Sequence, residues 1–142
     1  MQTFLYRAAA TWTAVGLALG LFYREFTKAN DFTGYTQLAV THTHALTLGT
    51  IVMLVLLALA VALPLANRQF RWGLVVWQVS LVLTVGMQAV KGCLQVLGND
   101  AADSPAIAGV SGLGHIGLTV AFVLIFLGIR KALPQAAERT AA

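Results

Sequence analysis

The sequence predicts an all-α integral membrane protein, built as a bundle of four transmembrane helices. Composition is the first reason: 58% of the 142 residues are hydrophobic and only 10% are charged, whereas soluble domains carry about 25% charged residues. Length is the second reason, because a bilayer core of about 30 Å requires roughly 20 apolar residues per helix, and four stretches meet that requirement. No linker or repeat divides the chain, so we expect a single transmembrane domain over residues 1–142.

The four predicted spans are separated by short polar connections. They cover residues 5–23, 35–65, 72–97 and 107–133, each with approximate ends. Pro64 and Pro134 fall at the ends of the second and fourth spans, where a helix commonly stops. The tryptophans Trp12, Trp72 and Trp77 lie mostly near span ends, where aromatic side chains anchor helices in the membrane interface.

The basic residues are divided unequally between the two sides of the predicted membrane. One side carries most of them: Arg7, Arg68, Arg71, Arg130, Lys131 and Arg139. The other side carries Arg24 and Lys28, diluted by Glu25 and Asp31. The positive-inside rule therefore predicts that both termini are cytoplasmic. This distribution also explains the pI of about 9.7, so we expect membrane lipid and no nucleic acid around the protein.

All three histidines of the chain, His42, His44 and His115, lie inside predicted spans. Ionisable side chains at membrane depth are costly, rare and usually functional. With the predicted orientation, the histidines fall in the outer half of the membrane, at about the level of Lys91 and Arg24. This common level indicates a cofactor or metal site rather than three unrelated histidines.

His42 and His44 are two residues apart, which places them about 200° apart around an α-helix. They cannot bind one metal ion from the same helix, as histidines at i and i+4 can. The two histidines therefore face different surroundings, either inside the bundle or across a subunit boundary.

Two cations and a group of glycines complete the predicted site. Lys91 could pair with Glu25, bind a carboxylate of a ligand such as a heme propionate, or simply extend to the membrane surface. Arg24 has the same options. Gly112 belongs to a glycine-rich stretch around His115 that would admit either a flat cofactor or a neighbouring helix. The other members of this stretch are Gly109, Gly114 and Gly117.

Heme b is the ligand that this residue set favours. Heme iron accepts one or two neutral imidazoles, and the cations would meet its propionates. The expected roles are electron transfer with a quinol or an extracytoplasmic partner, or heme and gas binding; no catalytic residue is predicted, and enzymatic activity stays open. One alternative is copper or zinc held by the three histidines, without a thiolate cluster because Cys93 is the single cysteine. A second alternative is a non-catalytic scaffold or assembly subunit.

Five short segments are spread over most of the chain. They are Phe22-Tyr23-Arg24-Glu25-Phe26-Thr27, Phe32-Thr33-Gly34, Thr43-His44, Leu94-Gln95-Val96-Leu97-Gly98 and Gly114-His115. Through them the chain resembles a bacterial family of short four-span membrane proteins known only as a domain of unknown function. The resemblance implies a multi-pass protein of the bacterial cytoplasmic membrane and carries no activity with it.

The motif His42-Thr43-His44 followed by Gly49 resembles the histidine-x-histidine helix in the catalytic subunit of heme–copper oxidases and nitric-oxide reductases. In that family the two histidines ligate different hemes, and three pseudo-symmetric four-helix units surround a central axis. Because this chain has the length of one unit, the resemblance implies a homotrimer. In such a trimer, His42 of one subunit and His44 of its neighbour would ligate one heme, beside Gly49.

The sequence also departs from the oxidase pattern. It has no second pair of histidines for a copper centre, and no tyrosine is set on the second span in the position needed for the cross-link of that family. His115 has no assigned counterpart there. The resemblance therefore does not extend to reduction of oxygen or nitric oxide.

Overall fold

The computed structural model of the chain describes residues 1–141, and their side chains through residue 136. The described residues form no strand, and the predicted all-α fold is confirmed. The four long helices are α1 (Gln2–Ala29), α2 (Leu38–Ala62), α3 (Arg68–Val96) and α4 (Pro105–Ala141). Each is long and apolar enough to cross a membrane. Arg139, which contributed to the predicted orientation, lies outside the described side chains.

The helix ends differ from the predicted spans in two instructive places. Helix α2 is shorter than the predicted 35–65, because Thr36 and Gln37 make capping contacts with α3 and Pro64 lies beyond the helix end. Helix α4 continues through Pro134, where the prediction had ended the span. A proline inside a helix removes one backbone hydrogen bond and crowds the preceding turn, but it does not end this helix.

Helix α3 ends in a glycine-dependent motif that turns the chain towards α4. The N–H of Asn99 donates to Leu94 O at 2.9 Å and that of Gly98 to Gln95 O at 3.2 Å. This is the pairing of a Schellman cap, which needs a left-handed residue, and Gly98 supplies it with φ of 64°. A single 3₁₀ turn, Asp100–Asp103, then leads into α4.

The start of α2 is anchored to the end of α3. The hydroxyl of Thr36 donates to the Gly92 carbonyl at 2.8 Å, and the backbone N–H of Gln37 donates to Gln95 Oε1 at 2.8 Å. Gly92 makes this approach possible, since a Cβ there would press on the backbone of Leu38. The level at which α2 begins is therefore fixed relative to α3.

Helix α2 contains a π-helical segment, Ala45–Ile51, between α-helical segments Leu38–His44 and Val52–Ala62. It closes with the N–H of Val52 donating to Thr47 O, five residues earlier. The sequence does not predict this segment, because hydrophobic periodicity is weak in a helix that is apolar on all sides. Short π-helical turns occur frequently at functional sites, and this one begins directly after His44.

The helices form an open arc rather than a closed square. Helix α1 packs along α2, α2 packs on α3, and α4 has extensive backbone contact with α3 and the 3₁₀ turn in the described part of the chain. Glycines on one face of α4 permit the close α3–α4 contact: a Cβ on Gly114 or Gly117 would overlap the side chains of Thr84 and Ser80. For these two glycines, the helix-packing interpretation holds.

At the opposite end of the α3–α4 contact, Gly128 lies against the backbone of Phe70, with an added Cβ only 2.8 Å from its nitrogen. We expect Gly128→Val to destabilise the protein by about 1–3 kcal/mol, the usual cost of overpacking a tight contact. Gly109→Val is the matched control, because a Cβ there meets nothing within 4 Å. Thermal unfolding of both variants in detergent measures the difference; equal midpoints would contradict the close α3–α4 packing.

Candidate functional site

His42 belongs to the interface between α1 and α2. Its ring stacks on Tyr23, with centroids 6.4 Å apart and planes inclined by 14°. A Cβ on Gly20 of α1 would lie 3.7 Å from His42 Cγ, so the glycine leaves room for the imidazole. The Nδ1 atom of His42 is buried and has no hydrogen-bond partner among the residues whose side chains are described.

His44 and His115 share a different arrangement. Nδ1 of His44 lies 2.9 Å from Val40 O, and Nδ1 of His115 lies 3.0 Å from Ser111 O, in each case four residues earlier in the same helix. A carbonyl oxygen only accepts, so each Nδ1 carries the proton and, in the neutral ring, Nε2 keeps the lone pair. Histidines that ligate metals usually donate their second ring N–H in this way.

Trp77 of α3 connects the helices that carry these two histidines. Its Nε1–H donates to Leu48 O of α2 at 3.1 Å, and its ring meets Phe122 of α4 edge-on, with centroids 4.6 Å apart. Leu48 lies one turn beyond His44, and Phe122 lies two turns beyond His115 on the same helix face. We therefore assign His44 and His115 to one groove between α2 and α4, with Trp77 in its floor. We call this the α2/α4 groove.

Gln88 continues the same side of α3. It follows Trp77 by eleven residues on one helix face, and its Oε1 atom is buried and lacks a hydrogen-bond partner within the described residues. Thr84 Oγ1 also lacks such a partner, but it is packed under Gly114 in the α3–α4 contact, where a Cβ on the glycine would overlap it. Of these two atoms, only Gln88 Oε1 can border the groove.

Lys91 follows Gln88 by one turn, and it pairs with Asp103 of the 3₁₀ turn rather than with Glu25. Lys91 Nζ lies 3.6 Å from Asp103 Oδ1, and the side chains are 27% and 86% exposed. Glu25 instead contacts Arg24 at 3.5 Å, and both are exposed on α1. Lys91 is therefore the predicted cation nearest to the groove floor, whereas Arg24 stays on the α1 side.

The two predicted glycines have different surroundings. Gly49 is buried against Trp12 of α1, and a Cβ there would overlap the indole. Gly112 is exposed and faces open space. The predicted site thus divides into an α1 side, with His42, Gly49 and Arg24, and an α4 side, with His44, His115 and Lys91; Gly112 lies on the outer surface of α4.

Trp77 was not predicted as a site residue. It was assigned to a membrane interface together with Trp12, but both indoles are buried and Trp77 is fully enclosed; only Trp72 is exposed as predicted. Spacing carried a usable signal, because Trp77 shares a helix face with Gln88 and Lys91. The three histidines predicted to hold copper or zinc do not form one cluster. No three His, Cys, Asp or Glu side chains come together as a metal-binding group in the described part of the chain.

A family model described as "Protein of unknown function (DUF2871)" matches residues 1–132, and the chain belongs to this family. No curated protein and no solved structure matches the chain. Family membership confirms this resemblance over residues 1–132. None of the comparisons supports the resemblance to heme–copper oxidases, which stays a prediction from His42, Thr43, His44 and Gly49.

The carbonyl contacts predict the tautomer of two histidines. In protein labelled with ¹⁵N-histidine and free of ligand, the Nδ1 atoms of His44 and His115 are expected to carry a proton that they donate to the carbonyls of Val40 and Ser111. Nitrogen NMR distinguishes the two tautomers, and His44→Gln and His115→Gln variants assign the signals. An unprotonated Nδ1 in either ring would contradict the arrangement described above.

Proposed function

We propose that the protein is a membrane b-type heme protein and that the heme occupies the α2/α4 groove, with His44 as an axial ligand. The observation that carries the proposal is the orientation of His44 and His115, whose Nδ1 protons are held by carbonyls. In such rings the lone pair of Nε2 is free to bind a metal ion. Heme needs only one or two histidines, so the lack of a three-ligand cluster in the described residues does not count against it.

The remaining residues of the groove fit heme chemically. Phe122 is 41% exposed and offers an aromatic ring to the macrocycle, and the enclosed Trp77 supports that ring edge-on. Gln88 offers a buried oxygen without a partner among the described residues. The Lys91 ammonium lies one turn further along α3, where a propionate could replace the exposed Asp103 as its partner. The bound heme would supply one-electron transfer or binding of a small gas. The protein would set its potential through axial ligands, buried hydrogen bonds and local polarity.

The second axial ligand has two candidates. The groove favours His115, which borders it together with His44 and has the same tautomer. The resemblance to the oxidases instead favours His42 of a neighbouring copy in a homotrimer, since His42 and His44 occupy opposite faces of α2. The Nδ1 atom of His42 has no partner among the described residues, and a heme of a neighbouring copy would give its ring a ligand.

The cellular setting belongs to the same proposal. We place the protein in the bacterial cytoplasmic membrane with both termini inside, which puts the histidines in the outer half of the bilayer. A quinol or an extracytoplasmic redox protein would then exchange electrons with the heme. The support is the distribution of the described basic residues. Five lie at the end of the bundle where α1 begins, and three lie at the end where α1 finishes; the five are Arg7, Arg68, Arg71, Arg130 and Lys131.

Absorption spectra of the purified protein, oxidised and reduced with dithionite, test the proposal directly. A sharp Soret band with split α and β bands on reduction is expected, as for a low-spin heme b. His44→Ala and His115→Ala should each abolish the low-spin spectrum, whereas His42→Ala should keep it. If His42→Ala removes the spectrum and His115→Ala does not, the second ligand comes from the neighbouring copy. A colourless protein, even after heme is supplied during expression, would reject the heme proposal; analysis for bound copper and zinc would then distinguish the metal alternative from a scaffold.

The homotrimer is a separate prediction with its own measurement. Native mass spectrometry of the pigmented protein is expected to show three chains with three hemes. Dilution in detergent should release chains and heme together if the ligands come from two copies. A monomer that retains heme would contradict the trimer and leave the pair His44 and His115 as the ligands.

A further inference from the structure

A second groove runs between α1 and α3 at the end of the bundle away from the histidines. It begins between the first turn of α1 and the Ala66 connection and continues towards Trp12 and Val82. Its walls are mostly apolar side chains with three arginines at the mouth. The residues that define it are Phe4, Ala8 and Thr11 on α1, and Arg71, Val75 and Val82 on α3. We call it the arginine groove.

The mouth of the arginine groove carries positive charge without compensation. Arg71 lines it directly, Arg68 borders the adjoining hollow with Trp72, and Arg7 lies further along the α1 wall. All three arginines are exposed and have no carboxylate partner among the described residues. The two described ion pairs, Arg24–Glu25 and Lys91–Asp103, are at the other end of the bundle.

The depth of the groove is mostly apolar, and its amide and indole groups are paired. Trp12 Nε1–H donates to Gln78 Oε1 at 2.8 Å, and Gln78 Nε2 donates to Met53 Sδ at 3.1 Å. From Arg71 to Val82 the α3 wall rises by about 16 Å, at 1.5 Å per residue. That is about half of a 30 Å bilayer core, the depth of one leaflet.

We infer that the arginine groove binds an anionic phospholipid, with the phosphate at Arg71 and Arg68 and one acyl chain along the α1–α3 walls. Arginine suits this role because its planar guanidinium binds phosphate oxygens in pairs. The apolar groove supplies the second half of the recognition, since a chain lying in it covers Phe4, Val75 and Val82, which are otherwise 46%, 50% and 61% exposed. Basic pockets between transmembrane helices recognise anionic headgroups in the same manner.

Native mass spectrometry of the detergent-solubilised full chain tests this inference with two probes of identical acyl chains, phosphatidylglycerol and phosphatidylcholine. The wild-type protein should retain one phosphatidylglycerol in preference to phosphatidylcholine. Arg71→Gln should weaken this retention about fivefold, and the double variant Arg68→Gln/Arg71→Gln about 25-fold, as expected for two basic residues near an anionic lipid. Ala8→Trp, which fills the groove, should weaken retention of the whole lipid while leaving the arginines in place.

The matched control is the double variant Arg130→Gln/Lys131→Gln. These cations lie near the same end of the bundle, since Asn67 Nδ2 donates to Gly128 O there, but they do not line the arginine groove. The control should keep wild-type retention. Equal retention of the two lipids, or an equal loss in the control and in Arg68→Gln/Arg71→Gln, would overturn the inference and indicate only a nonspecific lipid shell. Thermal unfolding of each variant checks that the bundle is intact.

Discussion

The hydrogen bond from Thr36 to the Gly92 carbonyl sets the level of everything that follows on α2. Together with the bond from the Gln37 N–H to Gln95, it fixes where the helix begins relative to α3. Since membrane helices can slide along one another on apolar surfaces with little change in burial, such polar contacts at their ends determine the register. Leu48 then lies at a defined height beside α3, where Trp77 Nε1–H can reach its carbonyl. The small volume of Gly92 is the condition for the whole arrangement.

Helix α2 divides the bundle into two environments. One face meets α1 through His42, Tyr23 and Gly20, where an imidazole is packed among rings. The other face borders the groove over α3, where His44 shares its tautomer with His115. Both environments contain a buried polar atom without a partner among the described residues, His42 Nδ1 in the first and Gln88 Oε1 in the second. Only the second also has two imidazoles oriented by backbone carbonyls.

Hydropathy was sufficient to locate the four helices, because a helix that is long and apolar enough to cross a membrane is visible in the sequence as a long apolar stretch. The opposed directions of His42 and His44 also followed from helical geometry, since both precede the π-helical segment. The division of the site did not follow. From its level in the membrane, Lys91 could pair with Glu25, bind a carboxylate of a ligand or extend to the membrane surface. Its actual partner, Asp103, lies on the 3₁₀ turn that follows the left-handed Gly98. The burial of Trp77 depends on which side of α3 receives α4, and an apolar sequence does not encode that side.

The π-helical segment has a consequence for how this protein tolerates changes in length. An added residue rotates the side chains that follow it by about 100° around the helix axis. The π-helical segment therefore changes the direction of the Met53 half of α2 relative to the half that carries the histidines. Deleting one residue from Ala45–Ile51 would restore a regular α-helix at that point. It would also point one half of α2 in the wrong direction, either Met53 out of the core or His44 out of its groove. The π-helical segment thus allows the two halves of α2 to pack in directions that one regular α-helix could not provide together.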